Sequence, residues 1–351
     1  MAQKVFVGMS GGVDSSLSAA ILVEQGYQVV GVYMKNWTKD LPGFVCPWRE
    51  DFKDAKTVAV QLGIPLLVFD FEKEYRSLVV DYMLDGYRQG ITPNPDIMCN
   101  QEIKFKLFFK TAVENGADLI ATGHYARSIN GKLYKGLDEH KDQSYFLYRI
   151  EQNVLQRVLF PIGGLTKTKV RQQATKRRLI TADKPDSQGI CFVGEIGIKQ
   201  FLLAELGEQP IGDIIDQHGN KIGRHDGAIY YTIGQRHGLN IGGGLPYYVI
   251  DKDIQKNIVY VTTDLNDRKL WSSHVKLINL WWINKPPRDH YEYQIKVRYR
   301  TESVNCQIKV LENEFCVVDL DDEVRAVSPG QSAVLYDQDL VIGGGIIQFA
   351  K

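Results

Sequence analysis

Short apolar runs alternate with helix-forming segments as far as Gly123, and this alternation restricts the fold more than any other feature of the chain. The predicted strands are Lys4–Met9, Gln28–Met34, Pro65–Asp70 and Asp118–Gly123. The predicted helices are Val13–Gln25, Asp51–Leu62, Glu72–Arg88 and Asn100–Asn115. This alternation favours a parallel sheet covered on both faces. Because ligands of such sheets bind beyond the carboxyl ends of the strands, residues that follow Gly8, Met34 and Gly123 should converge on one crevice.

The second part of the chain has a different texture, rich in glycine, tyrosine and β-branched residues. Turn residues at 218–220 and 255–257 predict two hairpins. From about Leu270, alternating patterns predict strands within 291–300, 304–311, 314–320 and 332–338, which favours a β-barrel of five or six strands. The predicted fold class is therefore α/β, with a parallel-sheet domain (1–205), a small β-rich domain (206–265) and a C-terminal β-barrel (266–351).

Composition excludes several classes of protein. Lysine plus arginine and aspartate plus glutamate number 42 each, so net charge gives no indication of nucleic-acid binding. The apolar start of the chain breaks at Gly8, too early for a secretory signal, and no later run could span a bilayer, so a cytoplasmic protein without membrane contact is expected. The sequence does not give the oligomeric state, and a monomer is favoured. The five cysteines form no C-x-x-C pair, which argues against a disulfide scaffold or zinc ribbon. Cys46, Cys306 and Cys316 are expected to be small buried hydrophobes.

The segment GMSGGVDSS, at positions 8–16, follows the first predicted strand and opens the first predicted helix. Glycines let a backbone turn tightly beside a ligand, and the free amides of a helix start attract anions. No lysine follows the glycines, so this is not a Walker A loop, and the spacing is not that of a dinucleotide fingerprint. The segment suits a pyrophosphate group, with Asp14 as a possible Mg²⁺ contact. The alternative is a glycine-rich turn capped by serine.

Two further segments each carry one cysteine. In PNPDIMC (Pro93–Cys99) the prolines fix an extended lead-in, so that Asp96 and Cys99 lie close to a helix N-terminus, which lowers a thiol pKa. In DSQGICFV (Asp186–Val193) Cys191 follows a glycine turn within an apolar run. Either cysteine alone would be interpreted as structural.

Taken together, the ordered motifs resemble those of the tRNA-specific 2-thiouridylases, members of the PP-loop ATP pyrophosphatase superfamily. They are GMSGGVDSS, MKNW, PNPDIMCN, ATGHYAR, KDQSYFL, DSQGICFV, YTIGQRHG and RYR, and they cover essentially the whole chain. The resemblance implies ATP-dependent 2-thiolation of uridine 34 in the lysine, glutamate and glutamine tRNAs, with AMP and diphosphate as products. It also implies a PP-loop nucleotide-binding domain, ATP as substrate with Mg²⁺, and a sulfur-relay donor protein as partner.

The resemblance further implies a role for each matching residue. Cys191 would carry a persulfide, Cys99 would be the nucleophile that ends in a disulfide with Cys191, and Asp96 would be a general acid/base. The implied ATP contacts are Gly8, Met9, Ser10, Gly11, Gly12, Val13, Asp14, Ser15, Met34 and Gly123. The implied tRNA contacts are Asn94, Pro95, Asp96, His124, Lys141, Asp142, Gln143, Arg298, Tyr299, Arg300 and Gln331.

Two basic segments are candidates for RNA contact. The predicted helix 165–179 contains no acid and six cations: Lys167, Lys169, Arg171, Lys176, Arg177 and Arg178. This is a footprint suited to an RNA backbone, although a solvated helix face is the alternative. Near the C-terminus, Arg298 and Arg300 are predicted on one face of a strand, with Tyr299 on the other.

Two other functions remain open on the sequence. Another PP-loop adenylating enzyme would share the loop, but synthetases need no paired cysteines and other tRNA thiolases commonly use C-x-x-C sets. A nucleotide-dependent RNA-binding module would need no catalytic residues. The combination of Asp14, Asp96, Cys99 and Cys191 favours the thiolating enzyme.

Overall fold

The computed structural model describes residues 2–41, 43, 45–186, 193, 197–239, 241–242, 244, 246–283, 285–288, 291–312 and 314–350. The chain divides into two compact units. Unit 1 comprises Met1–Val79, Asp96–Gly197 and Asp339–Val341, and unit 2 comprises Val80–Pro95, Ile198–Gln338 and Ile342–Lys351.

Unit 1 is built on a five-stranded parallel sheet with the order β3-β2-β1-β4-β7. Its strands are β1 (Lys4–Gly8), β2 (Gln28–Lys35), β3 (Leu66–Asp70), β4 (Leu119–Ala121) and, after the hairpin β5 (Ala126–Ile129) and β6 (Lys132–Lys135), β7 (Val158–Leu159). The central strand β1 is an uninterrupted apolar run whose residues Val5 and Val7 are fully buried, as expected for a strand covered on both faces. The predicted parallel sheet is confirmed, whereas β5, β6 and β7 were not predicted.

The edge of this sheet is more exposed than its centre. On β3, at one end of the strand order, Leu67 is 37% exposed and Val68 is 49% exposed.

Unit 1 contains seven of the described helices. They are α1 (Val13–Glu24), α2 (Trp48–Leu62), α3 (Glu72–Tyr75), α5 (Pro95–Met98), α6 (Phe108–Glu114), α7 (Gln152–Leu155) and α8 (Lys167–Lys176), while α4 (Asp81–Arg88) and α9 (Ile198–Leu206) belong to unit 2. Leu17 of α1 shares a buried cluster with Val170 and Ala174 of α8. This packing holds the N-terminal ends of both helices against the loop that follows β1.

Two predicted helices contain π-helical segments that their sequences do not reveal. Arg76–Val80 lies between α3 and α4, and Cys99–Leu107 lies between α5 and α6. The helix predicted over Asn100–Asn115 is part of a helical stretch that begins at Pro95, so its predicted start is wrong.

Unit 2 contains a small four-stranded sheet and a closed six-stranded barrel. The small sheet comprises β8 (Gly212–Ile215), β9 (Lys221–His225), β10 (Tyr248–Asp253) and β11 (Ile258–Thr262), and its two hairpins confirm the predicted turns. The barrel strands are β12 (Trp271–Trp282), β13 (Glu292–Lys296), β14 (Val304–Leu311), β15 (Phe315–Arg325), β16 (Ser332–Asp337) and β17 (Leu340–Ala350). Pairing of β12 with both β15 and β17 closes the barrel.

The cysteines outside the two motifs behave as predicted. Cys306 and Cys316 are fully buried in the barrel core, and Cys46 is buried with its thiol 3.6 Å from the Trp37 carbonyl oxygen. The described helices include none that is long and apolar enough to cross a bilayer.

Candidate active site

The loop between β1 and α1 leaves the first amides of α1 available to a ligand. Gly12 is the N-cap of α1, and no side chain caps this helix end, so the serine cap considered from the sequence is not formed. Gly11 has a φ of +77°, and a Cβ there would lie 2.3 Å from the Asp51 carbonyl oxygen, so the loop requires glycine. Ser15 Oγ instead accepts a hydrogen bond from the Ser10 amide at 3.2 Å, which folds the loop over the start of α1.

Strand ends converge on this loop, as the parallel sheet predicted. A Cβ on Gly8 would lie 3.0 Å from Met34 Cε at the end of β2. A Cβ on Gly123, beyond β4, would lie 2.7 Å from the Ser15 amide nitrogen. The backbone of residue 123 therefore packs directly on the first turn of α1, and this position has room for glycine alone.

Asp14 is held by neighbours from distant parts of unit 1. Its Oδ1 accepts hydrogen bonds from the Tyr125 hydroxyl and from Lys167 Nζ, both at 2.8 Å, and its Oδ2 lies 2.9 Å from the same ammonium. Lys167 Nζ also lies 2.7 Å from Asp186 Oδ1. Lys167 thus joins Asp14, in the first turn of α1, to Asp186, the first residue of the segment that carries Cys191.

Asp186 is the centre of a cluster of cations. Lys141 and Arg171 each lie 2.8 Å from its carboxylate, in addition to Lys167. Burial alone would raise the pKa of Asp186, but the hydrogen bonds from Lys141 and Lys167 lower it to about 2. This carboxylate is therefore ionised throughout the physiological pH range.

The expected Mg²⁺ contact at Asp14 does not fit this arrangement. Both carboxylate oxygens face the Lys167 ammonium, which takes the position that a cation would need. Within the described residues, no group of three or more histidine, cysteine or acidic side chains could hold a metal ion. A site that offers one carboxylate already paired with lysine lacks the oxygen ligands that Mg²⁺ requires.

The Asp96 and Cys99 segment forms a continuous helical stretch in unit 1. Asp96 lies in α5, and Cys99, which is buried, begins the π-helical segment one turn later. Burial raises the pKa of the Asp96 carboxyl, although the positive charge of Lys104 opposes this. Asp96 therefore retains a proton at higher pH than an exposed aspartate would. Cys191 lies outside the described residues.

Comparison with known proteins places the chain in a family. Three family models match: the tRNA methyl transferase HUP domain over residues 3–195, the tRNA methyl transferase PRC-barrel domain over 199–263 and the aminomethyltransferase beta-barrel domain over 272–347. The curated tRNA-specific 2-thiouridylase MnmA of Bacillus velezensis is 47% identical over 98% of this chain and 94% of its own length. The protein of the same name from Pseudoalteromonas translucida is 47% identical over 98% and 97%.

The chain belongs to the tRNA-specific 2-thiouridylase family. Members of this family are tRNA-uridine 2-sulfurtransferases. Among solved structures, a 4-thiouridine synthetase in complex with RNA and ATP has 22% identity over 55% of this chain and 45% of that chain, with a TM-score of 0.39. That score adds nothing to the family assignment.

Three of the predicted tRNA contacts of unit 1, His124, Asp142 and Gln143, make hydrogen bonds within the protein. His124 is buried, and its Nδ1 lies 2.7 Å from Thr122 Oγ1. The buried Asp142 carboxylate accepts hydrogen bonds from the Gly136 amide and from the amide and hydroxyl of Ser144. Gln143 Oε1 accepts from the Tyr125 amide at 3.0 Å. Their contacts with tRNA remain predictions.

In unit 2, two predicted tRNA-contact regions are close together. Gln331 Nε2 donates to the Thr92 carbonyl oxygen at 2.7 Å, which places Gln331 beside the lead-in to Asn94 and Pro95. Arg298 Nη2 donates to Ser328 Oγ at 2.9 Å and to the Ile233 carbonyl oxygen at 3.0 Å. The predicted strand alternation of Arg298, Tyr299 and Arg300 is wrong, because β13 ends at Lys296 and the chain turns.

The basic helix is only partly free for RNA. The half-buried cations Lys167, Arg171 and Arg177 make ion pairs, Arg177 with Glu24 at 2.6 Å. The exposed cations are Lys169, Lys176 and Arg178. The sequence shows that this helix contains no acidic residue. It gives no indication that Glu24 of α1 and Asp186 neutralise part of its positive charge.

Sequence reasoning also missed Lys104. It lies on the π-helical segment that begins at Cys99, and its Nζ is 3.5 Å from His124 Nε2. Burial and the charge of Lys104 lower the pKa of His124 well below its usual value, so this ring is neutral at pH 7.

Proposed function

We propose that this protein 2-thiolates uridine 34 of the lysine, glutamate and glutamine tRNAs, through an adenylated uridine and a cysteine persulfide. The observation that carries the proposal is a chain of contacts within unit 1. Lys104, on the Cys99 segment, contacts His124, and the adjacent Gly123 packs on the first turn of α1. The loop between β1 and α1, which would bind ATP, and the helical segment that carries Cys99 therefore lie close together within unit 1.

The first step is activation of the base. The C2 oxygen of the uridine attacks the α-phosphorus of ATP, the bond between the α- and β-phosphates breaks, and diphosphate leaves with the electron pair. The free amides at the start of α1 would bind the phosphates, since they point at the anion and require no reorganisation during reaction. Mg²⁺, where it takes part, would be held by phosphate oxygens and not by Asp14.

The second step exchanges oxygen for sulfur. The terminal sulfur of a Cys191 persulfide attacks C2, and AMP leaves. Cys99 then attacks the sulfur of Cys191, which forms a Cys99–Cys191 disulfide and leaves the second sulfur on C2. Thiol attack on a sulfur–sulfur bond is ordinary exchange chemistry. Asp96 is suited to act as general acid/base here because burial raises the pKa of its carboxyl, so that it holds a proton at higher pH than an exposed aspartate would.

The partners follow from this chemistry. A sulfur-relay donor protein would load Cys191, and a cytosolic reductant would restore the two thiols. The substrates, tRNA and ATP, are those of the cytoplasm, and a monomer would suffice because both cysteines belong to one chain.

The deciding experiment supplies ATP, a sulfane-sulfur donor, a thiol reductant and unmodified tRNA to the protein. The expected products are 2-thiouridine at position 34 together with AMP and diphosphate in equal amounts. Another PP-loop enzyme would release AMP without that nucleoside, and a non-catalytic RNA-binding module would bind both ligands without turnover. Either result would overturn the proposal.

The roles of the two cysteines are separable by labelled sulfur. Cys191→Ser should accept no label from the donor, whereas Cys99→Ser should be labelled on Cys191 but fail to modify tRNA. Cys46→Ser, at a buried cysteine outside both motifs, is the matched control and should retain activity. Label on Cys99, or full activity of either motif variant, would contradict this assignment.

A further inference from the structure

Lys104 is a half-buried lysine of unit 1 that makes no ion pair with a carboxylate among the described residues. Lys35, Lys167 and Lys184 each make ion pairs with two carboxylates, at distances from 2.5 to 3.0 Å. For Lys104, the part of the chain that the structure describes offers one polar contact, the neutral His124 ring at 3.5 Å. Removing an ammonium from water is costly unless an anion accompanies it. The site therefore has the character of an anion site.

The position of Lys104 restricts which anion it can bind. Its segment begins at Cys99, and a π-helix makes hydrogen bonds between residues five apart, so Lys104 lies one turn beyond this cysteine. The charge of Lys104 acts on Asp96 as well as on His124. His124 in turn adjoins Gly123, which packs on the first turn of α1, beside the loop between β1 and α1. Lys104 thus lies between the loop that would bind ATP and the residue that would act on the base.

In the proposed reaction, one phosphate must occupy that intermediate position. The α-phosphate is bonded first to the leaving diphosphate and then to the C2 oxygen of the uridine. We propose that Lys104 is a catalytic residue that binds the α-phosphate of ATP and of the adenylated uridine. This inference rests on the proposed function and names the group that its two half-reactions share.

The chemical benefit comes when AMP leaves. As the C2–oxygen bond breaks, its electron pair goes to the departing oxygen, and the phosphate changes from a diester with one negative charge to a monoester with two. A fixed ammonium beside it stabilises the charge that develops in the transition state. Lys104 would thereby assist both formation of the adenylate and its displacement by sulfur.

The test compares Lys104→Met with Lys104→Arg and with Lys106→Met. Lys106 is an exposed neighbour that pairs with Glu102, so its variant is the matched control. Lys104→Met should lower tRNA-dependent ATP–diphosphate exchange roughly 100-fold, the usual loss on removing one charge-stabilising group. Lys104→Arg should recover part of the rate because it keeps the charge. Lys106→Met should match the unmodified protein.

Equilibrium binding separates a phosphate contact from a structural role. Lys104→Met should bind AMP at least about tenfold more weakly while binding adenosine unchanged, because only the phosphate loses its partner. Equal loss for AMP and adenosine, or no loss for either, would overturn the proposal. If Lys104→Met does not fold, Lys104→Gln replaces it, because glutamine keeps a polar side chain and removes the charge. Weaker binding of AMP with unchanged binding of adenosine then supports the proposal. Unchanged binding of AMP, or an equal loss for both ligands, overturns it.

Failure of the proposed function gives a different result. If the unmodified protein makes no 2-thiouridine but its affinity for AMP still depends on Lys104, the proposed function is wrong and the phosphate site at Lys104 stands. If Lys104→Met thiolates tRNA at an unchanged rate, the proposed function stands and the proposed role of Lys104 is wrong.

Discussion

The hydroxyl of Tyr125 donates a hydrogen bond of 2.8 Å to Asp14 Oδ1 across 111 positions of sequence. Tyr125→Phe removes this bond and keeps the ring. We expect diphosphate release to fall roughly tenfold, since a hydrogen bond to a charged group contributes about 1.5 kcal/mol or more and Asp14 would lose one of its supports. Tests of ATP–diphosphate exchange in the presence of tRNA measure the rate of this step. Tyr27→Phe, a change of the same kind just before β2, is the control, and equal rates for the two variants would contradict the expectation.

Gly123→Ala should weaken ATP binding more than a glycine-to-alanine change elsewhere in unit 1 at a position where the new Cβ meets open space. The new methyl group would lie 2.7 Å from the Ser15 amide nitrogen and 2.8 Å from the Asp14 carbonyl carbon, so the first turn of α1 must shift. The matched control is Gly164→Ala, where a Cβ meets nothing within 4 Å. Isothermal titration with ATP and thermal unfolding compare the two, and a normal ATP affinity for Gly123→Ala would exclude the close contact.

Asp96→Asn should increase stability near neutral pH while abolishing thiolation. Burial raises the folded-state pKa of Asp96 above 3.8, so between 3.8 and the raised value the unfolded chain is ionised while the folded chain keeps its proton. The stability of the unmodified protein therefore falls as pH rises through this window, and asparagine removes that fall. Urea unfolding at several pH values should show a stability difference that grows with pH and then levels off. A difference independent of pH would refute the raised pKa.

Replacing Lys169 and Lys176 by alanine should reduce the salt dependence of tRNA binding, whereas Arg177→Ala should not. The two lysines are exposed on α8, and Arg177 is paired with Glu24. Each lost phosphate contact lowers the slope of log affinity against log salt by roughly 0.7 to 0.9. Arg177→Ala should instead lower the melting temperature slightly. Unchanged slopes for the lysine variant would assign α8 to the solvated-face interpretation.

The sequence predicted those parts of the fold that are encoded in local patterns. The strands β1 and β2 are long buried apolar runs, so their alternation with helices was sufficient to predict the parallel sheet. Strand β7 has two residues and carries too little pattern to be recognised. The turn at 298–300 was missed because alternation of arginine and tyrosine continues beyond the last ladder pair at Lys296.

Within the candidate site, the residues of the loop were predictable and their partners were not. Glycines after a strand indicate an anion site by themselves, but Lys167 reaches Asp14 over 153 positions, and no local pattern encodes such a pairing. Lys104 resembles any charged residue of an amphipathic helix. Its lack of a carboxylate partner among the described residues becomes visible only when the surrounding side chains are in place.

Strand β3 has a practical consequence for handling the protein in solution. A strand at the end of a sheet exposes backbone donors and acceptors, and apolar side chains beside them make it a template for pairing with another molecule. Leu67 and Val68 provide such side chains here. Concentrated samples should therefore self-associate through β3 first, and a lysine in place of Val68 would be the substitution that keeps them dispersed for crystallisation or NMR.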